Sequence, residues 1–394
     1  VEFTVYQHNI GRYLYYITHI NNINSILEKG ILSHEMIQSE GIKPTPIYDE
    51  DIVTNRKEKR VDGKSLWHFA NLYFQPRNPM LYRVILENSP NDIAIIAVRK
   101  EILKSPEIYV TDGNAVSKST NFYVGEGIKL ALRQIEKATE WQWWAIHDST
   151  KRKIMAECLV PNCILPNYIE AIYVSNHTTA DKIRLSLNSN VNVIPEPNMF
   201  FQPVRKIDLT QNLSLVEGDL FFSKHQTLTV SVNCVGVMGK GLASRAKYQF
   251  PDVYVYYQDQ CKKKELRMGR PVLYRSESSY DKQLADEPDS FTQSDDRWFL
   301  LFPTKQHYRD KSDINGIEEG LRWLVNNYKI LKIKSLAIPA LGCGLGRLDW
   351  KDVGPILCRY LSIMDIPVWV YLPAEKNIPA GFLTKEFLLP KLSV

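Results

Sequence analysis

Through the second half of the chain, short apolar runs alternate with longer stretches in which apolar residues recur every three or four positions. The runs Leu213 to Val216, Thr227 to Val232, Pro271 to Tyr274, Trp298 to Phe302, Ser335 to Pro339 and Val368 to Leu372 predict strands. Leu242 to Lys264, Ile314 to Tyr328 and Val353 to Met364 predict helices. Such alternation implies an α/β unit with a largely parallel, buried sheet. Ligands of that architecture sit beyond the carboxyl ends of the strands.

The first half is less regular. Strands are predicted over Tyr13 to Ile20, Asp92 to Val98, Ile108 to Thr111, Ile154 to Val160, Ile169 to Val174 and Val191 to Ile194. Helices are predicted from Asn22 or Asn24 to Lys29, closed by Gly30, over Gly127 to Ala138, and from Thr178. Asp49 to Lys64 is charged without period and reads as a solvated loop. Tyr73 to Tyr82 carries two prolines around Arg77 and reads as a stiff, non-helical loop. Arg77 there is either a salt-bridged anchor or an anion ligand. Gln202 to Asn212 lacks periodicity and reads as a linker, and the acidic, serine-rich Ser276 to Asp296 as an exposed insertion.

Three loops follow strands at one edge of the second unit. They are Asn233 to Leu242 with Gly236, Gly239 and Gly241, then Gly342-Cys343-Gly344-Leu345-Gly346, and Phe302-Pro303-Thr304-Lys305. A strand, a glycine turn and a helix N-terminus can present backbone N–H donors to an anion. In the first half, Glu157 interrupts the apolar run Ile154 to Val160, where a carboxylate is costly unless paired, working or turned to water. The segment 140–153 combines Trp141, Trp143 and Trp144 with Lys151, Arg152 and Lys153. It is either a packed tryptophan cluster beside a basic turn or a platform on which single-strand bases stack.

Composition narrows the setting. The net charge of +5 permits a nucleic-acid partner without demanding one. Six cysteines (Cys158, Cys163, Cys234, Cys261, Cys343, Cys358) show no C-x-x-C spacing, so neither zinc nor a disulfide framework is expected. No secretory signal and no bilayer-length apolar run is visible, and a cytoplasmic protein without membrane partner is expected. The opening Val implies processing, trimming or a longer parent chain.

The second half resembles the macrodomains. Glu217-Gly218-Asp219-Leu220 is similar to their first-strand motif, Val232-Asn233 with Gly239-Lys240-Gly241-Leu242-Ala243 to the distal-ribose loop, and Ala340 to Gly346 to the diphosphate loop. Phe302 to Arg309 resembles the DarG branch, in which the lysine at the place of Lys305 is needed for de-ADP-ribosylation. The resemblance implies ADP-ribose binding by Asp219, Leu220, Asn233, Gly239, Gly241, Leu242, Gly342, Cys343, Gly344, Leu345 and Gly346, with Lys305 catalytic.

The first half resembles DarT, an NAD-dependent ADP-ribosyltransferase acting on single-stranded DNA. Ile17-Thr18-His19-Ile20-Asn21-Asn22, the segment Asp51 to Arg56, Tyr73 to Met80, Thr111-Asp112-Gly113-Asn114-Ala115 and Ala156-Glu157 carry it. It implies Glu157 and Arg56 as catalytic, with Arg60 a neighbouring alternative to Arg56. It also implies Thr18, His19, Asn22, Arg56, Arg77 and Met80 around NAD, and Trp143, Trp144, Lys151, Arg152 and Lys153 on DNA. The expected architecture is an α+β ADP-ribosyltransferase domain over residues 1–205, a linker over 206–212 and a three-layer α/β macrodomain over 213–394. The expected function is a fused toxin–antitoxin pair that writes and erases ADP-ribose on a base, thymine or alternatively guanine. One domain could instead be a reader or blocker. No metal is expected, and the units could touch within the chain.

Overall fold

The structure is a computed structural model that describes residues 12–47, 50–146, 149–187, 189–276, 284, 297–373 and 376–390. The described residues form two compact units, one through Phe201 that also takes in Leu284, and one from Gln202 onward.

The first unit is built on an eight-stranded sheet among the described residues. Its strands lie in the order Asn192–Pro195, Ile169–Val174, Ile93–Arg99, Tyr13–His19, Phe69–Tyr73, Glu157–Pro161, Tyr109–Thr111 and Phe122–Tyr123. The pairs are antiparallel apart from Ile169–Val174 with Asn192–Pro195. Tyr13–His19 pairs with Ile93–Arg99 along its whole length. With Phe69–Tyr73 on its other side it pairs only at Tyr15↔Tyr73. Strands joined at one register diverge beyond it, so the sheet parts into two halves there. Glu157 lies in that junction row, because it pairs with Tyr73.

The core of this unit is aliphatic, with Leu14, Leu72, Ile96, Val98, Val110, Cys158 and Ile172 fully buried across the sheet. Gly127–Thr139 covers it with Ile128, Ala131 and Ile135, the apolar stripe of its 3.6-residue period.

Among the described residues the second unit holds seven strands in the order Arg205–Asp208, Leu213–Glu217, Val368–Tyr371, Leu336–Pro339, Thr227–Asn233, Trp298–Lys305 and Val272–Arg275. The five central strands are parallel and the two edge strands antiparallel. Helices Ile314–Asn327 and Trp350–Leu361 bury Ile317, Leu321, Leu324, Val353 and Leu357 against it.

Four expectations change. Residues 206–212 do not form a free linker: Arg205–Asp208 is an edge strand on Leu213–Glu217. Its charged alternation suits an exposed edge that must not aggregate, and for that reason lacks an apolar signal. Glu50–Glu58, expected as loop, is a helix. Pro79–Glu87 is also helical, with Asn78 capping Leu81 N–H and proline in the first turn. The helix expected over Leu242 to Lys264 is two helices, Gly241–Gln249 and Pro251–Lys262, because Pro251 cannot continue the first. Of the acidic stretch 276–296, Ser276 and Leu284 alone lie inside the described residues.

Candidate active sites

In the first unit the junction row carries a fully buried carboxylate, Glu157. Arg56 meets it end-on, Nη2 to Oε2 at 2.9 Å and Nη1 to Oε1 at 3.4 Å. The backbone N–H of Ala115 donates to Oε1 at 2.8 Å. The two-point arginine and the amide donor offset the cost of burying this carboxylate. Thr111 accepts Glu157 N–H at 2.9 Å and donates to Gly113 O at 2.6 Å, tying the strand to the loop that follows it.

Arg56 comes from the helix Glu50–Glu58, whose polar surroundings hid it from the apolar period. Arg60 donates instead to Gly63 O and is exposed, so Arg56 is the arginine that reaches the carboxylate. Beside Arg56 stands His34, which sequence reasoning missed. Burial, reinforced by the Arg56 charge, lowers its pKa to about 4, so the imidazole is neutral at physiological pH. His34 stacks on Trp67 at 5.2 Å, and the Lys57 ammonium lies over the same indole at 4.7 Å.

At the end of Tyr13–His19 the chain makes a tight turn. His19 Nδ1 accepts from Asn21 N–H at 3.1 Å, which leaves the neutral ring's proton on Nε2. Asn22 donates to Thr18 Oγ1 at 3.2 Å and to Thr45 O at 2.9 Å, and accepts from Thr45 N–H at 2.8 Å. Thr18, His19 and Asn22 thus belong to one hydrogen-bonded turn at the end of Tyr13–His19. Met80 is half-buried in the first turn of Pro79–Glu87.

In the second unit three loops interlock. Gly342, at φ +75°, has Leu348 and Ser312 so near that a Cβ would sit 2.7 and 3.0 Å from them. Ser312 N–H donates to Gly346 O, Cys234 N–H to Gln306 O and Asp313 N–H to Thr304 O. Gly241, at φ +60°, approaches Leu345 of the other glycine loop. Gly239 and Gly344 have no heavy atom near a notional Cβ, so their backbone is open to a ligand. Leu220 is buried and Leu242 half-buried. Cys343 is buried and its thiol pKa is pushed up to about 12, so it takes part only through its backbone.

Asp219 accepts from Phe221 N–H at 3.2 Å and from Arg245 Nη1 at 2.9 Å. Arg245 lies over Phe221 and Phe222 and donates from Nε to Gln249. Asn233 is used inside its own loop. Its Oδ1 accepts from Val235 N–H and Tyr257 O–H, and its Nδ2 donates to Val237 O. It shapes the loop rather than offering a free amide.

Lys305 ends the strand Trp298–Lys305. A register shift there places it opposite Asn233, while Pro303 lies opposite Val232. Its Nζ donates to Asp310 O at 2.8 Å. Burial first and the Arg347 charge second lower its pKa, against an opposing pull from Asp310. These are the two influences that make a lysine amine usable as a base. Among the described residues no three His, Cys, Asp or Glu side chains are grouped to hold a metal.

A family model for the ssDNA thymidine ADP-ribosyltransferase DarT matches residues 15–201, and the macrodomain model matches residues 293–357. A DNA ADP-ribosyl transferase–DNA ADP-ribosyl glycohydrolase fusion protein of Thermosipho africanus is 57% identical over 96% of this chain and 98% of its own length. The chain belongs to this fusion family. The solved structure of Thermosipho africanus DarTG in complex with ADP-ribose matches at a TM-score of 0.91, covering 96% of this chain and all of that one. A DNA ADP-ribosyl glycohydrolase of Thermus aquaticus is 36% identical over 41% of this chain and 42% of its own length.

Within the DarT-like unit three expected ligand residues are placed elsewhere. Arg77 is buried, donates to Gln142 O at 3.2 Å and to Asn198 Oδ1 at 3.0 Å, and lies 4.4 Å over the Phe201 ring. It is the loop anchor of the two readings, not a dinucleotide ligand. Trp144 is fully buried between Tyr82 and Phe201, its indole N–H donating to Leu284 O at 2.8 Å. It is core and offers no face to a base. Arg152 is bound to Asp112 at 2.7 Å. Trp143, Lys151 and Lys153 are half-buried.

Proposed function

We propose that the DarT-like unit transfers ADP-ribose from NAD to thymine in single-stranded DNA and that the DarG-like unit hydrolyses the product. The observation that carries the first half is the Arg56–Glu157 pair set where the sheet parts. When the nicotinamide–ribose bond breaks, positive charge develops on the ribose, and a carboxylate beside it stabilises that charge. The new bond forms to a ring nitrogen of the base, which must lose its proton. Glu157, with Arg56 next to it, is the group that assists. The turn of Thr18, His19 and Asn22 and the neutral His34 fit a site for a dinucleotide. Trp143, Lys151 and Lys153 are the remaining candidates for the strand.

In the DarG-like unit, Asp219 faces the adenine amino group. The N-terminus of Gly241–Gln249 and the open backbone at Gly239 and Gly344 face the diphosphate and distal ribose. Lys305 acts at the base–ribose linkage. Its lowered pKa supports catalysis over a role as a reader. The fused pair works in the cytoplasm as toxin and antitoxin, and the tether keeps the eraser concentrated around the writer's product.

A time course with NAD and a labelled thymine-containing oligonucleotide tests this reading. A product that rises and then falls is expected. A product that forms on guanine only, or persists with the intact chain, overturns it.

A further inference from the structure

We infer that Arg152 and Asp112 form a positioning pair for the transfer reaction, holding loop 111–121 so that the Ala115 N–H meets the Glu157 carboxylate. The inference rests on Glu157 being the catalytic carboxylate. A backbone N–H can serve a carboxylate only if its loop is fixed, and 112–121 lacks regular structure. Arg152 fixes it at three places. Its Nη1 donates to Asp112 Oδ1 at 2.7 Å and to Thr120 Oγ1 at 3.1 Å, at the two ends of the loop. Its carbonyl accepts from Asn114 N–H at 3.1 Å, one residue before Ala115.

The loop answers with bonds of its own. Asn121 donates its backbone and side-chain N–H to the two Asp112 oxygens at 3.0 and 2.9 Å. Thr120 Oγ1 donates to Asn114 O at 2.6 Å. Gly113 completes the fit. A Cβ there would lie 2.4 Å from Arg152 Nη1, so the guanidinium rests directly on the loop backbone. The pair is shielded, with side chains 20% and 13% exposed. The guanidinium is therefore engaged by the loop.

The test uses the full chain and follows nicotinamide release from NAD with a thymine-containing oligonucleotide. Arg152→Met should lower kcat about tenfold to hundredfold, as small misplacements of reacting groups do. The oligonucleotide KM and its salt dependence should stay unchanged. Arg152→Lys should recover part of the loss. The double variant with Asp112→Asn should be no worse than Arg152→Met alone, as expected of one coupled unit. Gly113→Ala keeps every charge but lifts the guanidinium off the loop. It should reproduce the kcat loss, and it carries the test if the Arg152→Met chain unfolds.

An unchanged kcat overturns the proposal. So does a raised oligonucleotide KM with a salt slope lower by about one, the signature of a lost phosphate contact. Glu157→Gln is measured alongside. If it retains full rate, the reading of Glu157 fails, whatever Arg152 does.

Discussion

Glu157 and Lys305 each stand near an arginine, with opposite consequences. Arg56 lies on a buried carboxylate and matches it with two hydrogen bonds. Arg347 lies near a partly exposed amine and pushes it toward neutrality. The first arrangement suits a group that must hold charge while a cationic sugar develops beside it. The second suits a group that must give up its proton before it acts. The same cation serves both because its partner differs in sign. Burial separates them further: at Glu157 it is matched by Arg56 and the Ala115 N–H, whereas at Lys305 it works with the arginine to lower the pKa.

The sharpest way to break this contrast is Glu157→Gln, which keeps shape and removes charge. Nicotinamide release should fall by about 10²- to 10³-fold or more, the scale of losing a key electrostatic stabiliser. A glutamine variant with near-native rate would mean the charge is not needed. Lys305→Ala comes next. Erasure of pre-modified oligonucleotide should fall about 100-fold or more, while release of nicotinamide in the first turnover stays native. Rapid erasure by this variant would leave Lys305 as a mere phosphate partner.

Arg347→Gln should have the smallest effect. A neutral amine is available only above its pKa, so erasure should rise with pH through that value. Removing the arginine takes away a cation that lowers the pKa, so the rising limb should move to higher pH. An exposed charge pair is worth about 1 kcal/mol or less, about fivefold in rate at most. Salt should shrink the difference. A limb that stays in place would show that burial alone tunes Lys305.

Much of both sites was legible in the residues. Glu157 stood out because a lone acid in an apolar run has to be paired or employed, and Lys305 and the glycine loops because they end apolar strands. Arg56 was harder. Its helix is charged on every side, so no period marked it, and what fixes it is the tertiary pairing with Glu157. The strand Arg205–Asp208 was silent for a related reason, since an edge strand hides its pairing behind charge. Asn78-Pro79 did carry a cap-and-proline helix start, and Pro251 a helix break; both were readable and were outweighed by neighbouring pattern. The tryptophans mark the limit of composition. Trp144 next to basic residues looks the same on paper whether it faces bases or Phe201, and burial alone decides.

The register shift beside Lys305 adds one residue to the end of the strand. Thr304 is the extra residue between the Val232–Pro303 and Asn233–Lys305 steps, buried and bonded through its carbonyl to Asp313. Losing that one residue would restore regular pairing and leave the amine opposite Asn233, but it would remove the carbonyl that holds the Asp313 N–H. The extra residue therefore ties the end of the lysine strand to Asp313, the cap of Ile314–Asn327. A relative that keeps the lysine but not the spacing would keep the amine on its face and lose the tie between strand and helix.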